Sequence, residues 1–331
     1  MTDLSTIIRF LMQLGLAMTG AASLWLMFLY YRKNKAREIS EVQNLEKLSD
    51  LLVILFSAGL IIFTVSWAIL KYFFYAAVSS GHEGIIVKAA ADYIRDGLNA
   101  TSWFVVLLMI VGGILIYTFK YRKSLFYQYR IFLFSASFLL VSLIDVFILY
   151  VGSLDKLQFF YFLHHWHSIF TVGTVITVDY LYFKTSKDIN LKRTAYNIFP
   201  FLSAIIWTGL GLDFLSNVLI FKQAFLVNSQ FIFIQTVIAI IILNGALLAD
   251  KINKRLIDSV RTDNPRPITP EEDIFLSLSG SVSIISWLTI AFVDLFVFDL
   301  KYWQFIIYYL LVIIIAFIFH RLVIKNLLKE N

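Results

Sequence analysis

The sequence predicts an all-α integral membrane protein of about nine transmembrane helices, and three observations predict it. Of 331 residues, 60% are hydrophobic and only 15% charged, with a mean hydropathy of +0.79. A soluble domain carries about a quarter charged residues. The apolar residues fall into stretches of about 20, the length a helix needs to cross the hydrocarbon core of a bilayer. Lys and Arg gather in alternate gaps between those stretches. Together these exclude a soluble globular enzyme, a disordered chain and a nucleic-acid-binding domain, so the net charge of +6 comes from basic loops. With 14 Gly, 4 Pro and no alternating pattern, a membrane β-barrel does not fit either. Cysteine is absent, which excludes disulfides and Cys-ligated metal.

The first span, 7–31, ends at Arg32, Lys33, Lys35 and Arg37, and no small-residue cleavage site precedes that flank, so it reads as a span and not a leader. Span two is 50–77. Residues 84–98 follow as an outer segment, with Lys88, Asp92 and Arg95 on one helical face and Ile86, Ala90, Tyr93 and Ile94 largely on the other, which predicts a short helix lying on the interface. Span three, 100–118, carries Gly112-Gly113 and leads into Lys120, Arg122, Lys123 and Arg130. Spans four and five are 127–151 and 158–183, the latter followed by Lys184, Lys187, Lys192 and Arg193. Span six is 196–215, and the apolar run 216–226 allows a neighbouring helix to be longer. Span seven, 225–249, contains Asn244-Gly245 and precedes Lys251, Lys254, Arg255, Arg261 and Arg266. Span eight, 273–297, is announced by Thr269-Pro270-Glu271-Glu272: an N-cap, a proline at the first helical position and a capping-box glutamate. Span nine, 301–324, ends among Arg321, Lys325 and Lys329. The basic gaps mark the cytoplasmic side. The N-terminus is then outside and the C-terminus inside, and the expected home is a bacterial cytoplasmic (inner) membrane.

The chain also repeats itself. Span one aligns with span five without gaps: Phe10-Leu11 with Phe162-Leu163, Leu29-Tyr30 with Leu181-Tyr182. Gly59-Leu60 matches Gly211-Leu212 at the same offset. Ser137 through Phe147 matches Ser286 through Phe296, pairing Asp145 with Asp294. This predicts a tandem 4+4 helix duplication, with residues 1–152 as the first repeat, 153–299 as the second, and 300–331 as an added helix with a basic tail. Four crossings return the chain to its starting side, so the halves are parallel, related by an axis along the membrane normal.

The strongest chemical signal is Leu163-His164-His165-Trp166-His167 at the outer end of span five. His164 and His167 share a helical face, and His165 points about 100° from His164. Imidazoles three apart suit a shared metal or an axial haem ligand, and equally an interfacial patch or a proton relay. His82, beside Glu83, lies on the same outer side and could supplement a metal site. Where the second repeat has His164 and Asp179, the first has Met12 and Met27, so any single active site belongs to the second half. Asp145 and Asp294 lie near the outer ends of spans four and eight, within reach of Arg9 or the histidines, and Asp213 closes span six. A carboxylate in a bilayer costs several kcal/mol unless paired or wetted. Asn244 should hydrogen-bond to a neighbouring helix. No phosphate-binding loop, dinucleotide motif, zinc-protease motif or nucleophile elbow is present.

From Leu163-His164 through Gly173, Asp179 and a basic turn, then Ile206 through Leu212, Asn244-Gly245 and Ser283 through Trp287, the stretch 160–325 resembles bacterial membrane proteins of the copper-resistance D and membrane protoporphyrinogen-oxidase-like group. The resemblance implies a helical bundle holding haem b or copper, with His164 as the key ligand. The second histidine expected on another helix of the same half is missing. The leading expectation is therefore a redox or metal-handling membrane protein with its cofactor at His164 and His167. A transporter or channel with a path between the repeats is the alternative, and a non-catalytic subunit that scaffolds a membrane partner is the third. The lipid bilayer is the certain neighbour; a membrane-protein partner or homo-oligomer stays open, and nucleic acid is not expected.

Overall fold

A backbone in hydrocarbon must hydrogen-bond to itself, which leaves helices as the economical answer for apolar runs of this length. The computed structural model describes residues 2–79, 85–121, 129–149, 156–185, 188–220, 228–247, 269–293 and 299–324, and these contain helices and no strand. In chain order they are α1 (Thr2–Lys35), α2 (Ile39–Ser79), α3 (Ile85–Lys120), α4 (Arg130–Leu149), α5 (Lys156–Thr185), α6 (Ile189–Ile220), α7 (Ser229–Leu247), α8 (Pro270–Val293) and α9 (Tyr302–Phe319). A π-helical turn, His320–Ile324, continues α9. Seven of the described helices, α1 to α4 and α7 to α9, are long and apolar enough to cross a membrane. The outer segment after span two is helical, but it runs unbroken into α3 and is not a separate surface helix.

Local chemistry sets several ends. Thr269 N–H donates to Glu272 Oε2 at 3.1 Å and Glu272 N–H to Thr269 Oγ1 at 3.3 Å, closing the capping box that starts α8. Asn228 Oδ1 accepts from Gln230 N–H (2.9 Å) at the start of α7. Asp188 Oδ1 accepts from Asn190 and Leu191 N–H, both at 3.1 Å, at the start of α6. Inside the helices, hydroxyls are satisfied one turn back: Thr19 bonds Gly15 O, Ser23 bonds Thr19 O, and Thr177 bonds Gly173 O, each at 2.8 Å. That is how Thr19, Ser23 and Thr177 reach zero exposure with their hydroxyls bonded within their own helices.

The chain divides into two compact units, Met1–Ile220 and Phe221–Asn331. In the first, α1 is the central helix and packs on α2, α4 and α5. Its close approaches need glycine. A Cβ on Gly59 of α2 would lie 2.7 Å from Met18 Cβ and 2.8 Å from Thr19 N, and one on Gly173 of α5 would strike the Ala17 carbonyl and sit 2.7 Å from Ala21 Cβ. The contacts group α5 and α6 with the first four helices because α5 packs on α1, whereas the duplication expected from sequence would put a boundary after 152. In the second unit α7, α8 and α9 pack together. Phe233 stacks on Phe305 at 4.9 Å, and Ser286 Oγ and Tyr309 OH are 2.6 Å apart. Only a stripe of α9 is buried (Phe305, Tyr309, Ile313), while Ile307, Leu310, Leu311, Ile314, Ile315 and Ile318 are exposed. An apolar face of that extent is a lipid-facing surface.

Candidate functional site

Three helices of the first unit converge on one imidazole. On α4, Phe138, Ser142 and Asp145 recur at four and three residues and so share a face. That face meets α5. Trp166 Nε1–H donates to Ser142 Oγ at 3.0 Å, and Ser142 in turn bonds Phe138 O at 3.0 Å. The Phe138 ring lies edge-on to Trp166 and 4.8 Å from Phe170. These contacts fix the rotation of α5 and aim His165 at Asp145, with Nδ1 and Oδ1 2.6 Å apart. From α1, the amide nitrogen of Gln13 lies 2.9 Å from the ring's other nitrogen, Nε2. The result is a hydrogen-bonded chain, Asp145–His165–Gln13, drawn from α4, α5 and α1.

Asp145 is buried, its side chain 2% exposed, and His165 is partly buried, its side chain 14% exposed. Asp145 Oδ2 has no hydrogen-bond partner among the described residues. A carboxylate so enclosed is expensive to keep charged, and the imidazole is what offsets that cost.

The other residues singled out by sequence are dispersed. His167 is buried on α5, and its Nδ1–H donates to Leu163 O at 2.6 Å, which leaves the lone pair on Nε2. The ring of His164, the side chain of Asp213, and His82 and Asp294 lie outside the described residues. Arg9 is exposed, one turn before Gln13 on α1. Asp179 is half-buried on α5, 14 residues or about 21 Å along the helix from His165. Asn244 Nδ2 donates to Ser279 O at 3.0 Å and its Oδ1 accepts from Ser279 Oγ, joining α7 to α8. Gln13 was passed over by the sequence reading. The alignment of span one with span five sets Gln13 opposite His165, at the 152-residue offset.

Haem or copper would need donors brought together. Among the described residues no three His, Asp or Glu side chains are grouped to hold a metal ion. His165 engages Asp145 and Gln13 through both ring nitrogens, and His167 engages Leu163 O through Nδ1. At the far end of α1 the character is different. A cleft of about 540 Å³ is lined by Arg32, Glu41, Lys47, Asp188, Asn190 and Asn197, with Arg32–Glu41 at 3.9 Å and Lys47–Asp188 at 3.4 Å.

Comparison with protein-family models, curated proteins and solved structures returns no match. The seven long apolar helices define the class, a multi-pass helical membrane protein, and the site has to speak for the rest.

Proposed function

We propose that this chain is a proton-coupled membrane transporter whose protonation site is Asp145–His165, at the seam between its two repeats. The observation that carries the reading is the 2.6 Å contact between a buried carboxylate and an imidazole on two packed, mainly apolar helices. Ionisable groups held inside a bundle mark proton and ion pathways because nothing structural requires them there. The pair joins an acid to the one side chain whose unperturbed pKa is near neutral, which suits reversible proton loading. The alternating basic loops support an N-out, C-in orientation in a bacterial cytoplasmic membrane.

The same reading takes nine spans. Lys47, in the first turns of α2, lies 3.4 Å from Asp188 at the start of α6, and Gln13–His165 joins α1 to α5 at the other end. From Gln13 to Lys35 is about 33 Å of helix, and from His165 to Thr185 about 30 Å, so α5 runs beside α1 for the depth of a bilayer. The test is solute-dependent collapse of a respiration-driven proton gradient in inverted membrane vesicles, using inorganic cations, amines and carboxylates. Wild-type protein should respond to a solute that Asp145→Asn and His165→Gln vesicles ignore. Identical behaviour of wild type and variants with every solute sinks the reading.

A second reading, haem b or copper held by His164 and His167, is supported by the His167 tautomer, since metal-ligating histidines commonly donate their other N–H to a backbone carbonyl. Absorbance and metal analysis of protein from cofactor-replete cells decides it: a Soret band or stoichiometric metal, lost in His167→Ala, is the expected result.

A further inference from the structure

Gln13 and His165 are 152 residues apart, which is the offset that aligns span one with span five. Ala21 and Gly173, eight positions further along each helix, touch at the same offset. Residues on α1 therefore face their own repeat counterparts on α5. Two parallel helices do this when a two-fold axis passes between them, as in an isologous interface. On such an axis an unmodified duplication would set two identical side chains against each other. Two histidines there would compete for one proton; two glutamines would carry none. The chain has one of each.

We propose that Gln13 is the positioning residue of this site: its amide N–H donates to Nε2 of His165 and so holds the ring, with its single proton on Nδ1, against Asp145. This rests on reading Asp145–His165 as a protonation site. An ionised carboxylate only accepts, so Nδ1 must be the donor toward Asp145. The neutral ring then has a lone pair on Nε2, which needs a donor, and the amide nitrogen stands 2.9 Å away. When the ring takes a second proton, Nε2–H needs an acceptor, and the same amide supplies Oε1 by turning over. A glutamine serves both charge states. A leucine serves neither, and a glutamate serves only the cation. The symmetry of the duplicated pair is broken in the way that gives one ring, one proton and one defined direction.

The experiment is 15N NMR of histidine-labelled full-length protein in lipid nanodiscs at pH 7.5, with the His165 signals assigned by their loss in His165→Gln. Wild-type protein should show a protonated Nδ1 and an unprotonated Nε2. Gln13→Glu should convert most of the ring to the doubly protonated form, and Gln13→Leu should keep the Nδ1–H form while moving the unprotonated Nε2 signal to the position of a nitrogen that accepts no hydrogen bond. Unchanged signals from the other four histidines establish that the variants are folded. A wild-type ring protonated on Nε2 alone, or His165 signals the same in all three proteins, overturns the assignment. The readout needs no transport: if vesicle activity is absent while the NMR pattern holds, the transport reading fails and the positioning role stands; if activity depends on Asp145 and His165 but His165 is blind to Gln13, only the positioning role falls.

Discussion

At the scale of single residues, the Asp145–His165 contact makes an energetic prediction of its own. Removing the imidazole leaves a buried carboxyl with neither oxygen bonded among the described residues. The carboxyl can take up a proton, so the loss is that of an unmet buried polar group, about 1–3 kcal/mol, and not that of a bare charge. His165→Leu should lower stability by that amount in detergent unfolding. Asp145→Leu with His165→Leu together should cost less than the sum of the singles, because each single change strands the other partner. Strict additivity in the cycle would mean the two groups do not interact. The sequence brought Asp145 and the histidine cluster forward because ionisable residues stand out in apolar helices. It could not choose among His164, His165 and His167. That choice depends on the rotation of α5, which Trp166–Ser142 and the Phe138–Phe170 packing set across two helices. Gln13 was hidden for the opposite reason: a neutral amide carries no signal until its partner is known.

At the scale of elements, helix ends and helix crossings can be tested separately. Asp188 caps α6, and its carboxyl is held below the usual aspartate range, first by the Leu191 N–H bond and then by Lys47 and the Asn190 N–H, against some burial that raises it. A lowered folded-state value means the stabilisation is complete above the unfolded pKa of about 3.9 and is lost as pH falls through the lower value. Hydrogen-exchange protection of the Asn190 and Leu191 amides should therefore hold from neutral pH to about 4 and fall below it. Asp188→Ala should remove it at every pH, at a cost of about 1 kcal/mol. The α1–α5 crossing answers to volume instead. Gly173→Ala forces a Cβ into the Ala17 carbonyl, and should cost about 1–3 kcal/mol by overpacking. Gly113→Ala has nothing within 4 Å of its Cβ and should be neutral or stabilising. Equal melting temperatures for the two variants would refute the crossing. The capping box at Thr269 was readable in advance because it is a local four-residue pattern. The union of the outer segment with α3 was not, since its polar face looks the same whether the helix lies flat or continues upright.

At the scale of the whole molecule, the absence of cysteine turns topology into a direct measurement, because every introduced thiol is the only one present. Composition alone made the membrane class readable, since no soluble packing hides so apolar a chain. The number of crossings was harder: α5 carries His, Asp and Thr among its apolar residues, so it looks less like a span than its neighbours do. Its place beside α1 argues that it crosses. If α5 and α6 both span, a thiol at Asp188 is cytoplasmic and a thiol at Asn228 is external. If the α5–α6 hairpin stays on the outer side, both are external, while the proposed N-out orientation keeps Gln43 cytoplasmic and Lys301 external in either case. Membrane-impermeant maleimide on intact cells should therefore label Asn228→Cys and Lys301→Cys, and spare Asp188→Cys and Gln43→Cys until the membrane is opened. Labelling of Asp188→Cys from outside would remove α5 from the bilayer. It would also remove His165 from membrane depth, because a ring on a surface hairpin has water to exchange protons with and needs no partner on α1. The position of one loop residue thus bears on the chemistry of the site some 30 Å of helix away.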